Sequence, residues 1–338
     1  MHLTVRRETS NLGVVIAHGG PNNIARNEKM VWYALANYRN GLTERAALVL
    51  SGEQLFDLAN AARLVFDGAL PAWAALSVDG LIAQWPDVSP ELDRFAAKAE
   101  AKRGEMRPLT IGVNDILPPV RPQRVFCAAS NFVEHANEMG TVLAAKADSQ
   151  PYVFLKPNTS VIGQNDVVRM PAASKQVDWE IELGAVIGQT TRNISVERAL
   201  DCVAGYTVVN DVSARDLNMR TDFPFKFDWF RGKCFDTFAP IGPWIVPANQ
   251  IPDPQDVHMR LKVNEDVMQN GSTAEMIFNV REQIAYLSTI LTLQPGDVIA
   301  TGTPTGVGMG RGIYLKPGDV MEAHIAGIGT LRNPVAAA

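Results

Sequence analysis

The stretch VDWEIELGAVIG at residues 177–188 has the composition of a buried β-strand, yet it contains two glutamates, Glu180 and Glu182. Side chains along a strand alternate between its two faces, so both carboxylates share one face, with Cβ atoms roughly 6.5 Å apart. On a face open to water, such a pair would be ordinary solvated surface charge. The apolar residues on both sides of the pair favour partial burial instead, and buried carboxylates must either bind protons or meet cations.

A third acidic residue completes a set of oxygen ligands. Asp211 follows the β-type run GYTVVN at residues 205–210, where strand-end side chains often line sites. Alone, Asp211 would be an ordinary turn aspartate. Together with Glu180 and Glu182 it predicts a site for Mg²⁺, Mn²⁺ or Ca²⁺, because these hard cations prefer carboxylate oxygens.

The composition is that of a soluble globular protein, with 338 residues, 46% of them hydrophobic and 20% charged. The net charge is −5 and Lys and Arg form no basic run, which argues against nucleic-acid binding. The sequence contains neither a signal-peptide pattern nor an apolar run of membrane-spanning length, so we expect a cytoplasmic protein that binds no membrane. Cys127, Cys202 and Cys234 lack CxxC spacing, and we interpret them as reduced thiols.

The N-terminal region, residues 1–110, has a helical pattern. Residues 43–68 and 89–104 carry apolar side chains at three- and four-residue spacing, as amphipathic helices do. We therefore expect a small, α-rich α+β region here, with one or two strands in front of the helices. Nothing in its sequence indicates its role.

A proline-rich stretch, LPPVRP at residues 117–122, marks a boundary near residues 105–120, because proline fixes φ and removes a hydrogen-bond donor. Beyond it, in residues 111–338, short β-type runs alternate with turn residues. One helix is expected at residues 280–293, before a Pro-Gly stop. This pattern predicts a mixed β-sheet or barrel-like domain with few helices.

Five motifs in this second region resemble, in order and approximate spacing, those of the fumarylacetoacetate hydrolase superfamily. They are FLKPNTSVIG (154–163), VDWEIELGAVIG (177–188), GYTVVNDVSARDLN (205–218), RGKCFDTFAPIGPWIV (231–246) and PGDVIATGTPTGVG (295–308). The resemblance covers about residues 120–335. It implies a mixed β-sandwich or roll, a divalent metal held by Glu180, Glu182 and Asp211, and a homodimer.

The resemblance also implies roles for single residues. Lys233 matches the active-site lysine of the superfamily; it could otherwise be a solvated loop lysine, but an ammonium group beside the carboxylates would stabilise a developing enolate. Lys156, Arg215 and Thr303 match residues that contact substrate. Asn218 stands where several relatives have glutamine, so its contact with substrate is expected to differ from theirs.

The segment CAASNFVEHANEMG at residues 127–140 contains His135 and Glu138, which lie side by side if the segment is helical. The carboxylate can then orient the imidazole as a general base. In relatives this helix is a mobile lid that carries such a pair; without that role it would be a solvated surface helix. A glycine-rich stretch at residues 302–312 lacks the phosphate-binding glycine patterns, which argues against nucleotide binding.

The function implied is that of a divalent-metal-dependent hydrolase acting on a small keto acid. It would cleave a C–C bond in a β-diketo or 2,4-diketo acid, in the catabolism of aromatic compounds or sugar acids. His135, oriented by Glu138, would activate water, and Lys233 would stabilise the enolate. Two alternatives stay open: a decarboxylase, hydratase or isomerase of 2-keto acids that uses the same site, and a non-catalytic binding protein.

Overall fold

The structure is a computed structural model that describes residues 31–112, 115–138, 140 and 143–338. The part of the predicted N-terminal region before residue 31 lies outside the described residues. Residues 31–338 form one compact unit. In this described part, every helix is too short or too polar to cross a membrane.

Strands outnumber α-helices in the described part of the chain. In chain order, the strands are β1 (Ala34–Asn40), β2 (Thr43–Leu50), β3 (Gln54–Asp57), β4 (Ile116–Leu117), β5 (Val125–Ala129), β6 (Tyr152–Lys156), β7 (Val161–Ile162), β8 (Val168–Met170), β9 (Val177–Asp178), β10 (Ile181–Ile187), β11 (Val203–Asn210), β12 (Ser213–Ala214), β13 (Ala239–Pro247), β14 (His258–Val263), β15 (Asp266–Ser272), β16 (Val298–Ala300), β17 (Val320–Ile325) and β18 (Gly329–Ala337). The α-helices are α1 (Leu58–Val65), α2 (Val78–Ile82), α3 (Trp85–Ala101), α4 (Val133–Glu138), α5 (Trp229–Lys233), α6 (Val280–Ile290) and α7 (Gly308–Arg311).

The largest sheet has the strand order β3-β2-β1-β13-β11-β10-β16-β5-β6, with β4 beside β1 and β7 beside β13. Its pairs are antiparallel except for β16 with β5 and β13 with β7. A second sheet of five strands runs β15-β14-β17-β18-β8, and β9 pairs with β12 next to the carboxylates. The predicted mixed β fold is confirmed.

Two apolar cores lie on opposite faces of the large sheet. Neighbouring residues of its central strand β11 point into different cores, Val208 into one and Val209 into the other, as the period-two alternation of a strand requires. The core around Val208 also contains Met259 of the five-stranded sheet. The core around Val209 contains Leu92 and Phe95 of α3. Strands β10 and β11 are therefore buried on both faces.

The helical prediction for residues 43–68 is correct for residues 58–65, which form α1, and wrong for residues 43–50 and 54–57, which form strands β2 and β3. Residues 43–50 form strand β2 instead of a helix, because β2 pairs with β1 on one side and β3 on the other. Its last five residues are all buried, which suits a strand covered on both faces. Helix α3 confirms the helical pattern at residues 89–104.

The N-terminal strands continue the large sheet. Leu35 of β1 pairs with Ile245 of β13, so β1 to β3 extend the sheet that carries the second region's central strands. The division at residue 110 stays a prediction. The second region contains strands β4 to β18, as its β-type runs predict, and the expected helix appears as α6, capped by reciprocal hydrogen bonds between Asn279 and Glu282.

Candidate active site

The three predicted ligands meet where β10 and β11 begin and end. Glu180 precedes β10, Glu182 lies within it, and Asp211 directly follows β11. The antiparallel register sets Ile181 opposite Asn210, and the Asp211 N–H donates to the Glu180 carbonyl at 2.9 Å. One carboxylate oxygen from each of the three lies within 4.8 Å of the other two, and all three residues are buried.

Buried cationic side chains surround two of these carboxylates. The Lys233 ammonium donates to Glu180 Oε2 and to Asp211 Oδ2, each at 2.7 Å. The Lys156 ammonium donates to Asp211 Oδ1. Arg215 Nη2 lies 2.6 Å from Glu180 Oε1. All three basic residues are predicted to lie at the site, and the structure brings them together with the acidic cluster.

Glu182 differs from its neighbours because its hydrogen bond comes from a neutral donor. Its Oε2 accepts the N–H of Gly302 at 2.8 Å. Burial, with the negative charges of Asp211 and Glu180, raises the pKa of Glu182 well above its usual value. Burial would also raise the pKa of Glu180, but the opposing charge of Lys233, followed by other positive neighbours, lowers it. Without a cation, these surroundings therefore favour the protonated, neutral form of Glu182.

This donor set fits a divalent cation. All three side chains offer carboxylate oxygen, the ligand atom that Mg²⁺, Ca²⁺ and Mn²⁺ prefer. A cation among these oxygens would remove the repulsion between like charges that favours protonation of Glu182. The residues that could hold it are Glu180, Glu182 and Asp211.

Asp178 also belongs to the site, although it is not among the predicted residues. Its Oδ2 accepts from Arg215 Nε at 2.8 Å, and its carboxylate also accepts the N–H groups of Gly308 (2.7 Å) and Met309 (2.9 Å). Asp178 thereby fixes both the guanidinium group and the start of α7. It lies two residues before Glu180, so extending the alternation pattern by one step could have found it.

Helix α4 places its histidine over the carboxylates. His135 is buried, with Nε2 at 4.0 Å from Glu180 Oε1. Its Nδ1 lies 3.7 Å from Glu138 Oε2, which is longer than a hydrogen bond, and this buried nitrogen has no hydrogen-bond partner within the described residues. Both oxygens of Glu138 instead accept the N–H of Gly306. Orientation of His135 by Glu138 stays a prediction.

The two remaining predicted residues have internal contacts. The Thr303 hydroxyl donates to the Ile181 carbonyl and accepts from Gln269 Nε2, each at 2.8 Å, so it secures the start of β10. The Asn218 side chain packs closely on Gly232, because a Cβ built there would lie 1.6 Å from Asn218 Oδ1. Contact of either residue with substrate stays a prediction.

Aromatic side chains flank the lysine on the side of β6. The Lys233 ammonium lies 5.3 Å from the ring centre of Phe154. Trp229 packs edge-on against Phe154 and against Tyr152, with ring centres 4.7 and 5.0 Å apart. Trp229 and Lys233 are four residues apart on α5, a spacing that places them on one helix face. That spacing is the signal through which the sequence could have connected them.

Comparisons with known proteins identify the family of the chain. The model of the fumarylacetoacetate (FAA) hydrolase C-terminal family matches residues 124–336. The 2,4-didehydro-3-deoxy-L-rhamnonate hydrolase of Sphingomonas sp. (strain SKA58) is 42% identical over 266 residues, 77% of this chain and 90% of that protein. The mitochondrial oxaloacetate tautomerase of Xenopus laevis is 41% identical over 222 residues, 65% of this chain and 67% of that protein.

Among solved structures, maleylpyruvate hydrolase from Sphingobium sp. SYK-6, in complex with manganese(II) ion and pyruvate, superimposes with a TM-score of 0.68 at 29% identity. The similarity covers 90% of this chain and 99% of that one. The family model alone spans more than half of the sequence. The chain therefore belongs to the fumarylacetoacetate hydrolase family.

Proposed function

We propose that the protein is a divalent-metal-dependent hydrolase that cleaves a C–C bond in a β-diketo acid, such as a 2,4-diketo acid. The observation that carries the proposal is the buried cluster of Glu180, Glu182 and Asp211, whose oxygens lie within 4.8 Å of one another, with Lys233 and His135 beside it. Two relatives support it, one named 2,4-didehydro-3-deoxy-L-rhamnonate hydrolase and one named maleylpyruvate hydrolase, the latter in complex with manganese(II) ion and pyruvate.

A divalent cation, when bound, would stabilise negative charge on the substrate's oxygens. The His135 imidazole would take a proton from water as the water oxygen attacks a substrate carbonyl carbon. The adjacent C–C bond then breaks, its electron pair stays with the keto acid fragment as an enolate, and the Lys233 ammonium stabilises that charge. The proton held by His135 returns to the enolate carbon, which leaves a carboxylic acid and a 2-keto acid.

The second candidate is isomerisation or decarboxylation of a 2-keto acid at the same site. Tautomerisation moves a proton between carbon and oxygen, and decarboxylation releases CO₂; both pass through an enolate and neither adds water. The 41% identity to an oxaloacetate tautomerase favours this alternative over a non-catalytic binding role. Lys233 would still stabilise the enolate in either reaction.

Product analysis with two variants tests the proposal. The protein is assayed with MnCl₂ or MgCl₂ on 2,4-diketo acids and on oxaloacetate, and the products are identified by NMR. For hydrolysis, His135→Ala should lower kcat by about 10² to 10⁴, the usual effect of removing a general base. For decarboxylation, His135→Ala should keep most of the rate whereas Lys233→Ala should not.

The matched control is Gly104→Ala, at an exposed position where a new Cβ meets nothing within 4 Å. A His135→Ala protein that hydrolyses a 2,4-diketo acid at the wild-type rate would refute the proposed mechanism. Product formation that is unchanged after chelation of all divalent ions would contradict the metal requirement. The homodimer and the cytoplasmic location stay predictions.

A further inference from the structure

We propose that Glu138 and the glycine loop at residues 306–310 form a latch that holds helix α4 over the carboxylate cluster, with Gly310 as a positioning residue. The inference deepens the proposed function, because the latch would set the position of His135 relative to Glu180. The latch itself is a contact within this chain. It can be measured without any substrate.

The contact joins the last residue of α4 to a backbone donor 168 residues away. Glu138 Oε1 and Oε2 accept the N–H of Gly306 at 3.2 and 3.0 Å. Burial would raise the pKa of Glu138, but His135, the Gly306 N–H and a hydrogen bond with the Thr305 side chain together lower it. The carboxylate is therefore bound as an anion, in the class of hydrogen bonds that is stronger than a neutral pair.

Gly310 provides the space for this carboxylate. A Cβ built on Gly310 would lie 2.3 Å from Glu138 Cγ and 2.6 Å from Cδ and Oε1. Any other residue at position 310 would push the Glu138 side chain away. The φ of Gly310 is not positive, unlike that of Gly306 and Gly312. Glycine is therefore needed at position 310 for its close contact with the Glu138 side chain of α4, and not for backbone conformation.

Two hydrogen bonds join the loop to the segment that carries Glu180. The Trp179 indole N–H donates to the Gly306 carbonyl at 3.2 Å, and Asp178 accepts the Gly308 N–H at 2.7 Å. Position 306 requires glycine, because its φ is +103° and a Cβ there would lie 2.1 Å from the Met268 carbonyl oxygen. A movement of the residues next to Glu180 should therefore move the loop, and with it the end of α4.

The beginning of α4 has a separate anchor. Asn131 Nδ2 donates to the carbonyls of Thr301 (2.8 Å) and Phe278 (2.9 Å). His135 lies between this anchor and the Glu138 latch. Release of the latch should therefore let the end of α4 swing out with His135, while Asn131 stays in place.

Hydrogen exchange measured by mass spectrometry on the full-length protein tests the latch. Gly310→Ala and Glu138→Ala should each speed exchange in peptides that cover residues 133–138 by about tenfold or more, as expected for loss of a charge-assisted hydrogen bond. The midpoint of thermal unfolding should stay within about 2 °C of wild type. Gly104→Ala is the matched control and should exchange like wild type.

The double variant separates a latch from a general weakening of the fold. Once Glu138 is alanine, a Cβ at position 310 has no carboxylate to displace. Gly310→Ala should therefore add nothing in the Glu138→Ala background. An equal effect of Gly310→Ala in both backgrounds, or exchange in Gly310→Ala equal to that of Gly104→Ala, would overturn the proposal. Because no substrate is present, failure of the proposed hydrolase activity leaves this test intact.

Discussion

The substitution Glu182→Gln tests the cation site with little change in shape. The amide keeps an oxygen that can accept the Gly302 N–H, which Glu182 binds at 2.8 Å, and it removes one negative charge. Without a cation, glutamine resembles the protonated form of Glu182 that burial and the neighbouring carboxylates favour. The metal-free variant should therefore be as stable as the metal-free wild type, or more stable.

The increase in stability on metal binding can be estimated from the linkage between binding and folding. A cation at one hundred times its Kd stabilises the folded state by about 2.7 kcal/mol. Unfolding a chain of 338 residues carries an entropy of about 0.7 kcal/mol/K, so the unfolding midpoint should rise by about 4 °C. If the lost ligand weakens binding about hundredfold, the same cation concentration adds only about 0.4 kcal/mol, or about 0.6 °C.

The pH dependence of the metal-free protein supplies a second signature. Because its pKa is raised by folding, Glu182 contributes stability that is fully present below its unfolded pKa and is lost as pH rises through the folded pKa. Glutamine does not titrate, so Glu182→Gln should remove this loss. With metal present, the stability of the wild-type protein should instead increase with pH, because metal binding requires the deprotonated carboxylate and therefore becomes stronger as pH rises.

The assay is calorimetry of chelator-treated protein, titrated with MnCl₂ at several pH values. Glu265→Gln, which changes an exposed glutamate, is the matched control and should keep the full metal-induced shift. A Glu182→Gln protein with the wild-type shift in midpoint would refute the role of Glu182 as a ligand. A metal-free variant clearly less stable than metal-free wild type would refute the argument about its charge.

Two further substitutions probe the surroundings of the site. Gly205→Ala should lower stability by about 1–3 kcal/mol, because the new Cβ would lie 2.3 Å from the Val246 carbonyl oxygen on the neighbouring strand; a thermal midpoint equal to that of Gly104→Ala would contradict this. Lys156→Met removes one partner of buried Asp211 and should cost about 3–5 kcal/mol in metal-free protein. Saturating MnCl₂ should reduce that cost, and a cost independent of metal would argue against a cation beside Asp211.

The features that could be predicted from the sequence are those set by local alternation and turn residues. The common face of Glu180 and Glu182 follows from the period of a strand, and the structure shows both near Asp211. The helical pattern at residues 89–104 likewise predicts a real helix, since four turns with one apolar face leave little alternative.

Features decided by contacts between distant parts of the chain could not be predicted in this way. The apolar spacing of residues 43–50 suits a helix, but pairing with β1 and β3 makes the segment a strand. The hydrogen bonds of Glu138 with the Gly306 N–H, at 3.0 and 3.2 Å, are contacts that the helical spacing of Glu138 and His135 does not indicate. Orientation of His135 by Glu138 stays a prediction. Helical spacing gives the neighbours on the same element, whereas the loop that approaches Glu138 depends on the whole fold.

Three carboxylates spaced two residues apart along the chain have different roles, because each has different neighbours. Asp178 is paired with Arg215 and binds the backbone of the glycine loop, and Glu180 is paired with Lys233 and Arg215. Within the described residues, Glu182 accepts its hydrogen bond from the neutral Gly302 N–H, so its surroundings favour a proton on it, a proton that a bound cation would replace. The loop held by Asp178 also donates to Glu138 at the end of α4, so in the proposed latch this short segment would set the position of His135 relative to the three carboxylates. A shift of this segment by one residue would turn all three carboxylates to the opposite face, away from the partners that now bind them.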